Sequence, residues 1–290
     1  MAKIAYCSKS LHKASRDLLD QMIGIAEDYD EKGYRLTVRQ LYYQLVSRNI
    51  IPNNLSSYQR ASKILLAGRM MGEVDWDVIM DRARTPIMPG EFRSMSNFVK
   101  AALNSYRKYR WDGQDHYVEV MVEKEALAGI LERVTREYHV LLLANKGYSS
   151  ASAIHDVAGR MEYEEENGKT CHVIYLGDHD PSGMDMVRDI DSRLNTFGCS
   201  PSVERLALTM DQIEQYNPPP NPAKSTDPRS RKYSEEFGGQ SWELDALNPE
   251  ILSDLLESRI QEYLDVGMYN DVIEQEDAEK GRLEKVAGRI

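Results

Sequence analysis

Cysteine is scarce in this chain of 290 residues: Cys7, Cys171 and Cys199 are odd in number, far apart and without a Cys-x-x-Cys pair. That argues against a disulfide framework or a thiolate zinc site and fits reduced thiols. The six histidines do not gather as ligands either. No apolar run approaches the roughly 20 residues that a membrane-spanning helix needs. The opening Met1-Ala2-Lys3-Ile4-Ala5-Tyr6-Cys7 lacks the apolar core of a secretory signal. No Gly-x-x-x-x-Gly-Lys-Ser/Thr loop occurs, so there is no candidate for a P-loop nucleotide site. Positive charge is short overall, with 36 Lys and Arg against 47 Asp and Glu. A net charge of −11 is unfavourable for holding a polyanion.

The charge that is present is segregated. Residues 1–115 hold 18 basic and 13 acidic side chains, whereas the remainder holds 18 and 34. Within 32–110 the contrast grows to 14 basic against 5 acidic. The length suffices for two modest domains, and Trp111-Asp112-Gly113 reads as the boundary. This divides the chain into a basic 1–112 and an acidic 113–290.

The first domain reads as a helix over about 9–33, a second one capped by Thr37, and a third opened by Ser56 or Ser57 and running to Gly72. The third offers Arg60, Lys63 and Arg69 on its polar side. Asp75-Trp76-Asp77-Val78-Ile79-Met80 is short and β-like, followed by Arg82 and Arg84 as phosphate contacts. Helix, helix and a small strand pair is the order of a winged helix, a helix-turn-helix variant that docks on duplex DNA. A basic stripe of this kind is otherwise a solvated face. A further helix spans about Glu91 to Tyr109.

The second half alternates strands near 117–122, 139–144, 171–176 and 203–208 with helices near 124–137, 149–165 and 182–196. That pattern predicts an α/β fold with a mainly parallel sheet flanked by helices. Asn217-Pro218-Pro219-Pro220-Asn221-Pro222 cannot be helical, and the polar stretch through Arg231 is expected to order only on DNA or a partner. Helices from Pro249 to about Asp265, and then to the end, close the chain. Two runs stand out: Val122-Glu123-Lys124-Glu125 and Leu176-Gly177-Asp178-His179-Asp180-Pro181, each following a buried-strand signal. Ligands bind at the carboxyl ends of strands in open α/β sheets. Glu123, Asp178 and Asp180 on one rim therefore suit a hard cation such as Mg²⁺, with Mn²⁺ as an alternative. Taken singly, each acid is as readily a helix cap or a solvated turn residue.

A Glu after one strand and an Asp-x-Asp after a later one resembles the Toprim fold of topoisomerases, primases and some nucleases. Asn145-Lys146-Gly147-Tyr148-Ser149-Ser150-Ala151 is similar to the Lys-Gly-aromatic-Pro loop of the topoisomerase VI A subunit and its meiotic double-strand-break relative, with Ser149 in place of Pro. Asp178-His179-Asp180-Pro181-Ser182-Gly183 is similar to that family's Asp-Gly-Asp-Pro-x-Gly, with His179 in place of Gly. Thr37-Val38-Arg39-Gln40-Leu41-Tyr42-Tyr43 resembles its nucleophile helix, and Ser241-Trp242-Glu243-Leu244-Asp245-Ala246-Leu247-Asn248-Pro249 its closing element. The likeness covers residues about 34–265 and is nearest to stand-alone proteins of the mini-A kind. On a helical wheel Val38, Leu41, Tyr42 and Leu45 form one apolar stripe, which leaves Tyr43 beside its i−4 neighbour Arg39 as the exposed phenol.

The resemblance implies a DNA-cleaving transesterase, a type IIB topoisomerase A-like enzyme. Tyr43 attacks a phosphodiester to form a 5′-phosphotyrosyl link, Arg39 stabilises the phosphate, and Glu123, Asp178 and Asp180 hold Mg²⁺. Lys124, Lys146, Tyr148 and His179 are expected near the metal as DNA contacts, with a core or solvent role as the alternative. Double-stranded DNA, a homodimer and an ATPase B-type subunit in trans are the implied partners, in a cytoplasmic, nucleoid-associated setting without a membrane. Two rival readings remain: a Toprim nuclease using metal-bound water, and a non-catalytic DNA-binding protein.

Overall fold

The computed structural model describes residues 3–80, 91–145, 147–222 and 229–287. Helix α1 (Lys13–Glu31) buries the stripe Leu18, Leu19, Met22, Ile25, Ala26 and Tyr29. A two-residue strand β1 (Leu36–Thr37) leads into α2 (Val38–Ser47). Thr37 and Gln40 cap α2 reciprocally: the Thr37 hydroxyl accepts from Gln40 N at 3.3 Å, and the Gln40 amide oxygen accepts from Thr37 N at 2.7 Å. Two orphan amides are thereby satisfied. Asn54, rather than Ser56 or Ser57, caps α3 (Leu55–Met70). Gly68 permits the close packing of α3 on α1, since a methyl there would lie 2.7 Å from Leu19 Cδ1.

Strand β2 (Ile79–Met80) pairs with β1 in parallel, and α4 (Met95–Ser105) follows. The expected wing is thus only a two-residue parallel bridge among the described residues. Arg82 and Arg84 lie outside the described residues.

The second half builds β3 (His116–Val122), a 3₁₀ turn at Glu125–Leu127, α5 (Ala128–Glu137), β4 (Leu141–Ala144), α6 (Ala151–Glu166) and β5 (Thr170–Leu176). Then come α7 (Pro181–Thr196), β6 (Ser202–Ala207) and α8 (Met210–Tyr216). The four strands are all parallel in the order β4-β3-β5-β6. Alternate side chains of the central pair go to opposite faces. Val118, Val120, Val122, Ile174 and Leu176 join the core of the α5 side, which continues into the N-terminal helices. Tyr117, Met121, Val173 and Tyr175 pack with Ile154, Met161 and Ile190 on the α6–α7 side. Burial on both faces explains the near-continuous apolar runs. This is a mixed α/β architecture with a parallel sheet flanked by helices.

A tail returns across the strand ends. Strand β7 (Asn221–Pro222) pairs antiparallel with β8 (Gln240–Ser241), with α9 (Ser230–Phe237) between them. The end of the segment expected to order only on a partner is thus helical, from Ser230 onward. A 3₁₀ turn at Leu244–Ala246, α10 (Pro249–Glu262) and α11 (Val266–Ala287) complete the chain. Among the described residues no helix is long and apolar enough to cross a membrane.

Candidate functional site

The strand order reverses between β3 and β5, which places a crevice at their carboxyl ends. Val122 and Leu176 are register partners, so Glu123 and Gly177 leave the sheet side by side. Asp178 and Asp180 follow on the same rim. The two runs singled out in the sequence therefore do converge, but their carboxylates face inward.

Glu123 Oε2 accepts from Asp178 N at 2.8 Å and from the Tyr175 hydroxyl at 3.1 Å. Asp180 is the N-cap of α7, accepting from Gly183 N at 2.6 Å, with Pro181 in the first turn. This cap is tight: a methyl on Gly183 would lie 2.1 Å from the Asp178 carbonyl oxygen. The half-buried Arg205 donates from its guanidinium to the carbonyls of Gly177 at 3.0 Å, Asp178 at 3.2 Å and Gly183, pinning the loop from behind. Asp178 Oδ1 accepts from Leu244 N at 2.8 Å and pairs with Lys124 Nζ at 2.8 Å.

Lys124 is the centre of this cluster. Its ammonium also lies 2.8 Å from Glu243 Oε2 and 2.7 Å from Asp245 Oδ1. Arg39, from α2, pairs with the same two acids, its Nε standing 2.9 Å from Asp245 Oδ2. Two cations thus neutralise three carboxylates drawn from the β5 end and from the Trp242–Leu247 segment. Burial alone would lower the Lys124 ammonium, but Asp245, Asp178 and Glu243 reverse the direction and raise it. Burial likewise works to raise Glu243, and Lys124 and then Arg39 outweigh it, drawing that carboxyl down to about 2. For Asp178 burial prevails over Lys124, and its carboxyl is pushed up.

These bonds decide the metal question. Among the described residues no group of three or more His, Cys, Asp or Glu side chains is arranged to hold a metal ion. Glu123 is turned onto a backbone amide and a phenol, Asp180 onto its own helix, and Asp178 onto an ammonium. The expectation that Glu123, Asp178 and Asp180 hold Mg²⁺ or Mn²⁺ is therefore overturned. With it falls the expected type IIB topoisomerase chemistry, a metal-assisted attack by Tyr43, and the metal-dependent nuclease reading. The cation in this crevice is the chain's own Lys124.

Tyr43 also differs from expectation, because it is buried, with 3% of its surface exposed. The wheel sorted α2 by one apolar side, but both sides are covered. Leu41 and Leu45 face α1 and α3, while Tyr42, Tyr43 and Val46 pack against Ala246 of the returning tail. The Arg39 guanidinium lies 5.6 Å above the Tyr43 ring, and its Nη2 is 3.5 Å from the phenol oxygen. Burial, and then Glu243, push the Tyr43 phenol up to about 12, further from ionisation rather than nearer. Tyr43 lines a cavity of about 290 Å³ together with Tyr42, Asn53, Tyr58 and Asn221. A second cavity of about 510 Å³ lies over Lys124, Asn145 and Ser182.

The remaining expected contacts divide. Lys124 is committed to three acids, and His179 is buried, its Nδ1 bonded to the Tyr233 hydroxyl at 2.8 Å. Lys146 lies outside the described residues. Tyr148 is exposed, with its hydroxyl 3.0 Å from Asp185 Oδ2 and bonded to Arg229. Arg60 and Lys63 are exposed on α3. Sequence reasoning missed Glu243, Asp245 and Arg205 as members of the cluster. The alternation Glu243-Leu244-Asp245-Ala246 was the available signal: acids on one side of a segment whose apolar residues are buried.

A second electrostatic feature lies on the N-terminal helices. From Lys32 to Gly72 there are seven Lys and Arg and no Asp or Glu. Lys32, Arg35 and Arg39 pair with acids elsewhere. Arg48, Arg60 and Lys63 are exposed and form no ion pair with any described residue. On α3 the exposed positions Ser56, Gln59, Arg60, Lys63 and Leu66 follow helical spacing and form one face. No protein-family model matches this chain, and no curated protein matches it.

Proposed function

We propose that this chain is a duplex-DNA-binding protein that presents α3 to the nucleic acid. The observation that carries this reading is the acid-free stretch 32–72, on which Arg48, Arg60 and Lys63 are exposed and have no carboxylate partner among the described residues. Unpaired surface cations on a helix that follows another helix supply the sequence-independent part of DNA affinity, by releasing counterions from the phosphates. The acidic remainder of the chain would turn away from the duplex. We retain the winged-helix reading of the first part, the Toprim reading of the second and the resemblance to the topoisomerase VI A family as part of the same proposal. The order of elements supports them.

Fluorescence anisotropy on a labelled duplex, titrated between about 50 and 200 mM salt, tests the reading. Each phosphate contact contributes roughly 0.9 to the slope of log affinity against log salt. We expect R60A/K63A to lower that slope by about 1 to 2 and to weaken binding on every sequence alike. Undetectable binding of the unaltered chain at low salt, or a double variant that binds like it, rejects the proposal.

A further inference from the structure

Helix α4 is amphipathic, yet none of its residues is buried. Its apolar stripe comprises Met95, Phe98, Val99, Ala102 and Leu103, continued by Tyr106. Only part of that stripe is covered. Val99, Leu103 and Tyr106 are half-buried, and the α4 side of the molecule packs on α11. Met95 and Phe98 remain 69% and 52% exposed, and Phe92 just before the helix stacks edge-to-face on Phe98 at 5.1 Å. Clustered large apolar side chains left in water mark an interaction surface more often than chance exposure.

The charges around it indicate what would cover it. Every ionisable side chain of acid or base type from Phe92 to Trp111, tyrosines aside, is a cation: Arg93, Lys100, Arg107, Lys108 and Arg110. The last three are already met by an acidic helix, α11. Arg110 Nη2 lies 3.1 Å from Glu276 Oε1, Arg107 Nε 3.7 Å from the same oxygen, and Lys108 Nζ 3.1 Å from Glu279 Oε1. Tyr106 donates to Glu279 as well. Arg93 and Lys100 are exposed and make no ion pair with a described residue. In the segment just after α4 the chain thus shows how such cations are met: by the acids of an amphipathic helix that also packs against α4.

We propose that the Phe92–Met95–Phe98 surface docks an acidic amphipathic helix of a partner protein, apolar anchors covering the aromatic pair and carboxylates meeting Arg93 and Lys100. A nucleic-acid backbone would satisfy those two cations but leave Met95 and Phe98 in water. This surface is separate from α3 and does not depend on the DNA-binding proposal.

The test is anisotropy with a synthetic, fluorescein-labelled helix carrying Leu at i, i+3, i+4 and i+7 flanked by Glu, against the same helix with Lys for Glu. The acidic helix is expected to saturate, and F98E to weaken it by about tenfold or more, as for a central apolar anchor. Met95→Ser, at a side chain that contributes nothing to the core, keeps the test readable if F98E misfolds by circular dichroism. A loss in Met95→Ser supports the proposal. Equal binding of the acidic and basic helices, no binding of either, or unaltered binding by both variants overturns it. Sedimentation of the chain alone gives the remaining outcome: a dimer that F98E dissociates would mean that a second copy covers this face, and would overturn the assignment to a different partner.

Discussion

Arginine and lysine play opposite parts at the two ends of α2. At its N-terminal end Arg39 meets Lys124, Glu243, Asp245 and Asp178 in a closed network drawn from three distant segments. Beyond its C-terminal end Arg48, Arg60 and Lys63 are exposed without a carboxylate partner among the described residues, Arg60 donating only to the Ala14 carbonyl at 3.1 Å. The same side chains are structural in the first case and available in the second, and residue type does not decide which. What decides is whether the chain supplies acids to the region. The stretch 32–72 holds none of its own, so each cation there is paired only where an acid of another segment reaches it: Asp30 for Arg35, Asp28 and Glu250 for Lys32, and Glu243 and Asp245 for Arg39. A paired, half-buried cation holds elements together, while an unpaired exposed one is attracted to whatever anion arrives.

The largest effect that would break this contrast is removal of the central ammonium. Lys124→Met leaves Asp178, Glu243 and Asp245 facing one another with Arg39 as their remaining cation. Deleting one partner of a buried ion pair costs about 3 to 5 kcal/mol when the other charge is left uncompensated. Arg39 still offsets part of this, and we expect about 3 kcal/mol in a urea melt. Arg231, whose side chain is 90% exposed and pairs with Glu235 one turn on, is the comparison. Arg231→Ala should fall within the uncertainty of the melt, as exposed pairs do. Equal effects in the two variants would mean that the network carries no more than a surface pair.

Acid should distinguish the two regions next, because the C-terminal part also holds buried neutral imidazoles. His172 is stacked on Tyr263 with ring centroids 4.0 Å apart, and its Nε2 lies 3.0 Å from His116 Nδ1. Burial, and then His116, draw His172 down to about 4, while burial and then Arg205 do the same to His179. The unfolded chain takes up these protons near pH 6.5, before the folded protein does. Stability is therefore flat above about 6.5, falls as the pH drops towards 4, and loses nothing more from these groups below that. Glu243, held at about 2, has the same form in a lower window: its contribution is complete above about 4.5 and is lost as pH falls towards 2. Melts between pH 7 and 4.5 should thus lose on the order of 2 kcal/mol for each imidazole, and His172→Gln should flatten that slope. An unchanged slope in His172→Gln would remove the imidazole pair from the account, whereas DNA binding through α3 should respond to salt throughout this range.

What could be read from the sequence was local in origin. Largely apolar runs such as Val118–Val122 and Val173–Leu176 located both central strands, because burial on two faces leaves few polar positions; the one in the first run, Glu119, is buried and held by Arg160 and the Tyr117 hydroxyl. Thr37 and Asp180 are caps that the residue types announce. Placing Glu123 and Asp178 on one rim was also correct. Which way their oxygens point was not legible, since Glu123 is turned by a backbone amide 55 residues away and Lys124 by acids about 120 residues away. The expected cation site failed for that reason: a lysine adjacent to Glu123 in the sequence takes the carboxylates for itself. Tyr43 failed for a related one, because a wheel knows the helix but not the tail that returns over it from Ser241 to Leu247.

The smallest effect we expect bears on that last point and separates two adjacent phenols. Tyr42 donates to Asn53 Oδ1 at 2.9 Å and approaches the Asn54 carbonyl at 3.2 Å, which joins α2 to the cap of α3. Among the described residues the Tyr43 hydroxyl is approached only by Asn221 Nδ2 at 3.4 Å and Arg39 Nη2 at 3.5 Å, both at the limit of a useful hydrogen bond. Each Phe variant keeps the ring and its packing and removes only the oxygen. Tyr42→Phe should then cost about 1 kcal/mol, and Tyr43→Phe less than about 0.5 kcal/mol. The order matters more than the sizes. If Tyr43→Phe were the more costly, its hydroxyl would have to be bonded far better than these distances allow, with Arg39 turned from Glu243 towards the phenol. The closed network at one end of α2 would then be open, and its contrast with the exposed cations beyond the other end would disappear.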